Sequence, residues 1–180
     1  MAGDRGFRAL CKISSQAVRG GGHLYEALLE EARQKGLVVI EKYPFHSPNI
    51  RGLCCDDTIA LNAQIDTEAE RTVILCEELA HAAQAAGNIL QDPRMERRAR
   101  EQSFDRLISP EGLIHAYLCG CREAWEFAEH FGVTEAFLCE AMENYRARFG
   151  VLKRISFNGE DYAITFEPTL RIQKWSTLNL

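Results

Sequence analysis

Two adjacent carboxylates and an imidazole, Glu77, Glu78 and His81, lie in the run V-I-L-C-E-E-L-A-H-A-A-Q-A-A from Val73 to Ala86. Apolar residues occupy almost every direction around a helix drawn through this run, which is the pattern of a buried helix. Ionised groups in such surroundings are costly without partners, and they end up neutralised, paired or bound to a metal. Glu77 and His81 are four residues apart, so they project from one side of the helix, one turn apart. The two histidines of H-E-x-x-H use the same spacing to hold zinc. Glu78 is offset from Glu77 by about 100°, an angle that suits a general base approaching water at a metal better than a ligand. Zinc lowers the pKa of such water to about 7. Taken alone, E-E-x-x-H also suits a solvated helix with no chemical role, and the apolar surround is what favours chemistry here.

The elements that must hold this helix follow from periodicity and turn residues. Leu24, Ala27, Leu28 and Ala32 repeat at helical spacing from His23 to Lys35, and Gly36 follows as a stop. Leu37 to Tyr43, Ile50 to Cys55 and Thr58 to Asn62 read as strands, the last two flanking Asp56-Asp57 as a hairpin, in a small antiparallel sheet. Asp66-Thr67-Glu68-Ala69-Glu70 combines capping residues with early acids, so the central helix is predicted to start near Thr67 and reach about Ala86, with Gly87 ending it. Further helices are predicted over Pro93 to Ile108, Glu111 to Leu118, Arg122 to Phe131 and Thr134 to Phe149, separated by Pro110, Gly120, Gly132 and Gly150. Ile155 to Phe157 and Tyr162 to Phe166, joined through Asn158-Gly159, predict a terminal β-hairpin, because Asn-Gly favours a tight turn with positive φ. The fold class is α+β: the sheet packs on the central helix, the C-terminal half is helical, and the hairpin closes the chain. We divide it into a flexible leader over 1–22, a zincin-like domain over 23–150, and a hairpin and tail of the same domain over 151–180.

At 180 residues and 46% hydrophobic content the chain suffices for one domain with a substantial core. Its seven cysteines are an odd number with no C-x-x-C pair, which argues for reduced thiols and a cytoplasmic protein. The first 22 residues contain no long apolar run, so they fit neither a signal peptide nor a membrane anchor. A formal net charge of −5 disfavours direct nucleic-acid binding.

The order of features is more specific than any one motif. A helix over Leu24 to Lys35 is followed by Ile59-Ala60-Leu61-Asn62, then by T-E-A-E-R-T-V-I-L-C-E-E-L-A-H running into G-N-I-L. E-R-R-A-R-E-Q-S-F-D-R-L-I-S and F-A-E-H-F-G-V-T-E-A-F-L complete the series. From Gly36 to Gly150 the chain resembles the ImmA/IrrE metallopeptidases, particularly those that phages and integrative elements encode beside a repressor gene. The resemblance implies a metal-dependent endopeptidase, with Zn2+ (or Mn2+) held by Glu77, His81 and an acid on the following helix, and with Glu78 as catalytic base. Glu96 in E-R-R-A best fits that third position, ahead of Glu101 and Asp92; on its own residues Glu96 also reads as one half of a surface salt bridge. The implied substrate is a Xre-type repressor, cut to induce genes of a mobile element. The chain departs from the family's fuller H-E-x-x-H in carrying Glu77 where histidine comes first. Glutamate also ligates zinc through oxygen, but a more negative ligand set weakens the metal as a Lewis acid. The stretch from His81 to Glu96 is also short for the family, as a trimmed loop would make it.

Two rival readings follow. One is a regulatory module that kept the peptidase shape, lost catalysis through the change at position 77, and grips a repressor without cutting it. The other is a DNA-contacting regulator built on the helix-turn-helix-like segment around Ala128 and Gly132, against which Glu135, Glu140 and Glu143 would face phosphates unfavourably. His115 reads as a hydrogen-bonded core or surface histidine rather than a proton donor. Cys54, Cys55, Cys76, Cys119 and Cys121 read as structural, and His23, His46 and His130 carry no partner signal.

Overall fold

A computed structural model describes residues 22–84 and 93–175. The first helix, α1 (Gly22–Gln34), buries Tyr25, Leu28 and Ala32 and ends at Gly36, whose φ of +75° only glycine adopts without strain. Three strands follow, β1 (Val38–Tyr43), β2 (Gly52–Cys55) and β3 (Thr58–Asn62), in the spatial order β1-β3-β2. The expected hairpin is present: β2 and β3 are antiparallel around Asp56-Asp57, with Asp56 at a φ of 49°.

The sheet is mixed, however, and not wholly antiparallel as expected, because β1 runs parallel to β3. The tight turn gives one edge of β3 to β2, which leaves β1 the other. Segment 44–51 then spans the width of β3, so β1 and β3 point the same way. Asn62 anchors that span: its buried side chain donates to the Ile50 carbonyl at 2.6 Å and accepts from the Gln64 amide at 2.9 Å. Val39, Cys54, Ile59 and Leu61 turn to the helices, while Val38, Ile40 and Leu53 lie on the outer face.

The central helix, α2 (Glu68–Gln84), starts as the sequence predicts. The Thr67 hydroxyl accepts from the Glu70 amide at 3.2 Å, and Glu68 and Glu70 complement the helix dipole in the first turn. Val73, Leu75, Cys76 and Leu79 are buried among α1, β2, β3 and the next helix, α3 (Pro93–Leu107). Three more helices follow: α4 (Pro110–Leu118), capped by Ser109; α5 (Ala124–Phe131), ended by Gly132 in a left-handed conformation; and α6 (Glu135–Phe149), capped by Thr134. The terminal hairpin is β4 (Leu152–Phe157) and β5 (Glu160–Thr165), turning at Asn158 and Gly159 with φ of 52° and 80°. A further strand, β6 (Arg171–Lys174), pairs with β5 and makes a three-stranded sheet where two strands were expected. The leader residues 1–21, the predicted stop at Gly87, the G-N-I-L run and Asp92 lie outside the described residues. Among the described residues no helix is long and apolar enough to cross a membrane.

Glu31 ties α1 to α3. Its carboxylate pairs with Lys35 at 2.8 Å and with Arg106 of α3. Burial alone would raise its pKa, but the hydrogen bonds and charges of Lys35 and Arg106 outweigh burial and hold it below the ordinary 4.5. A depressed carboxyl contributes stability above its unfolded pKa and loses it as pH falls through the folded value. Glu31→Gln is therefore expected to lower stability by about 1–2 kcal/mol at neutral pH. Chemical denaturation should show that difference shrink as pH drops below 4.5.

Candidate active site

Helix α2 stands between β2 and α3 and presents a different residue to each. On the β2 side is Glu78. The Cys54 amide donates a hydrogen bond to its carboxylate, and the strand lies so close that a Cβ at Gly52 would come 2.7 Å from Glu78 Oε1 and 2.5 Å from Ile74 Cγ2. Burial, joined by the charge of Glu96 and opposed by the Cys54 amide, pushes the Glu78 carboxyl from 4.5 up to about 7.

On the α3 side are Glu77 and His81. His81 Nε2 lies 3.2 Å from Glu96 Oε2, with the histidine mostly covered (16% exposed) and the glutamate reaching in from solvent (70% exposed). One turn earlier on α2, Glu77 Oε1 accepts a hydrogen bond from Arg100 Nη1. Arg100 is gripped elsewhere too: its Nε donates to Glu140 Oε2 of α6 at 3.1 Å, as does Nη2, and its guanidinium lies 5.5 Å and 5.0 Å from the ring centroids of Phe104 and Phe137. Of the sequence-derived candidates, His81 and Glu96 are thus brought into contact, Glu78 faces the neighbouring strand, and Glu77 is turned to an arginine. Glu101, the weaker substitute for Glu96, lies 3.9 Å from Arg97. Among the described residues no three His, Cys, Asp or Glu side chains are gathered closely enough to hold a metal as they stand.

Residues 32–143, well over half of the chain, match the model of the Peptidase M78 family, described as the IrrE N-terminal-like domain. The chain belongs to this family. No curated protein and no solved structure matches it. The matched span of this IrrE-type domain contains β1 to β3, α2, α3 and every site residue described above.

Membership in a metallopeptidase family implies a metal ion, and the donor set of the IrrE-type domain fits one in kind. Two ligands on a tetrahedral ion at bond lengths of about 2.0–2.1 Å stand roughly 3.3 Å apart, close to the 3.2 Å between His81 Nε2 and Glu96 Oε2. An imidazole and carboxylates suit Zn2+ or Mn2+. The buried Glu78 carboxyl beside Glu96 is an environment that an added cation would relieve. Glu77, the third donor expected from the sequence, has its Oε1 on Arg100.

Sequence reasoning had missed two residues that shape this site. Gly52 lies inside a strand, where an isolated glycine signals close backbone approach. Arg100 lies one turn after Glu96, so both face α2, and that i,i+4 spacing was the available signal. Of the cysteines read as structural, Cys76 is buried, whereas Cys55 and Cys119 are exposed. The His115 ring lies 5.7 Å from that of His130 and 3.8 Å, at Nδ1, from Cys119 Sγ. His130 is pushed down by burial and by the His115 charge. All six described cysteines are free thiols, with Cys76 fully buried. In the α5–α6 pair, Glu135, Glu140 and Glu143 are exposed, and Arg146 and Arg148 pair with Glu167 at 3.3 Å and with Asp105 at 2.8 Å.

Proposed function

We propose that this domain is a cytoplasmic metal-dependent endopeptidase that cleaves a partner protein, a Xre-type repressor, to induce mobile-element genes. The observation that carries the reading is the His81–Glu96 contact of 3.2 Å between α2 and α3, next to a buried Glu78 that feels the Glu96 charge. Strand β2 is an edge strand. An extended peptide adding to it would gain main-chain hydrogen bonds and carry its scissile carbonyl past Glu78. Glu77, His81 and Glu96 would hold the metal, Zn2+ or Mn2+. When bound, that ion supplies Lewis-acid polarisation of a carbonyl and makes water nucleophilic at neutral pH. Glu78 takes the proton of the attacking water and delivers it to the leaving amine, while the Cys54 amide and the close approach of Gly52 fix its carboxylate in place. Core residues of α2 and the sheet exclude bulk water from beneath it.

The pairing of Glu77 with Arg100 favours one alternative, a peptidase-shaped module that binds the repressor without cutting it. Incubating the purified chain with the repressor encoded beside it, and resolving the products by mass spectrometry, separates the two. The endopeptidase yields defined fragments that a chelator abolishes. A complex of intact repressor, formed equally well with chelator present, would replace it with the binding module.

A further inference from the structure

Two side-chain rungs join α2 to α3: Glu77 to Arg100, and His81 to Glu96. Glu77 precedes His81 by one turn, and Arg100 follows Glu96 by one turn, so the rungs are consecutive steps between antiparallel helices. We infer that Arg100 is a latch on the metal site, holding Glu77 on the first rung so that the guanidinium and a metal at the second rung compete for one carboxylate. The inference rests on the metallopeptidase reading above.

The physical case is an asymmetry between the partners. Arg100 is fixed on three sides, by Glu140 and by the faces of Phe104 and Phe137, both of which are buried in the core. Glu77 is held through one oxygen and has a flexible side chain. A turn of α-helix rises about 5.4 Å, within the sweep of a glutamate side chain, so rotamer changes in Glu77 can move its carboxylate from one rung to the other without moving either helix. Arginine stays protonated at all relevant pH, so the cationic half of the latch is permanent. Metal affinity is then reduced by the fraction of molecules in which Glu77 is engaged. Arg100 is thus a positioning residue. Its removal should strengthen metal binding, the opposite of what losing a structural support does.

The test is a Zn2+ titration of the full chain in competition with a chromophoric chelator, with thermal denaturation confirming that each variant is folded. Arg100→Gln is expected to tighten Zn2+ binding about tenfold, equivalent to about 1.4 kcal/mol. Arg100→Lys keeps the charge but loses the planar fork, and should fall between it and the wild type. In a Glu77→Gln background the gain from Arg100→Gln should vanish. Weaker or unchanged binding in Arg100→Gln overturns the latch, as does a gain that persists in the Glu77→Gln background, since that would be the field of the arginine alone. If Arg100→Gln does not fold, Glu140→Gln decides: it leaves Arg100 to Glu77, so Zn2+ binding should weaken, and unchanged or tighter binding overturns the inference. Zn2+ that binds, is lost in His81→Ala and is indifferent to Arg100→Gln removes the latch alone. Zn2+ that binds neither the wild type nor Arg100→Gln removes the metallopeptidase reading and the latch together.

Discussion

Replacing Glu78 by glutamine is expected to slow repressor cleavage roughly 10²–10⁴-fold, the usual cost of removing a general base, with the fold retained. Glutamine is nearly isosteric, so it fits under β2, and its side-chain oxygen still accepts from the Cys54 amide. What it lacks is an ionisable oxygen that takes a proton from water. The change also replaces a buried carboxyl, whose charge is opposed by burial and by Glu96, with a neutral amide, so the metal-free protein should not lose stability. Initial cleavage rates together with thermal denaturation check both parts. Cleavage at the wild-type rate would remove Glu78 from the chemistry.

Gly52→Ala should damage the same site from the opposite side. The added methyl would meet Ile74 Cγ2 at 2.5 Å and Glu78 Oε1 at 2.7 Å, closer than real Cβ contacts come, so either β2 lifts from α2 or Glu78 is displaced. Overpacking of this kind costs about 1–3 kcal/mol. A shift of about 1 Å at a catalytic group lowers rate about 10²-fold, so activity should fall further than stability alone explains. Leu53→Ala, one residue along on the exposed outer face, is the control and should change stability by less than about 0.5 kcal/mol. If Gly52→Ala matches Leu53→Ala in both readouts, the close approach of β2 is not needed to hold Glu78.

What the sequence showed and what it hid follow the range of the interactions. The start of α2 at its Thr67 cap, the Asp56-Asp57 hairpin and the Asn158-Gly159 turn are each encoded within a few residues, and each is found where expected. The direction of β1 depends on which edge of β3 is left after the hairpin forms, which no local pattern records. Strand β6 buries a single residue, Ile172, so alternation was too weak to reveal it. At the site, the residue types and the spacing of Glu77, Glu78 and His81 were legible. Which partner each side chain finds across α3 and β2 was not, because Arg100 and Gly52 act through packing between elements distant in sequence. The Arg-rich run E-R-R-A-R could be read as solvated helix, and only burial of Ala99 on the face toward α2 singles out Arg100 and Glu96.

The most direct test of the account is metal content by elemental analysis of protein purified without chelator, comparing the wild type with His81→Ala and Glu96→Ala. The account predicts about one zinc or manganese per chain, as a single mononuclear peptidase site requires, lost in both variants while their folds persist. A wild-type protein that binds no metal even after zinc is added would contradict it and leave the repressor-binding module as the better description.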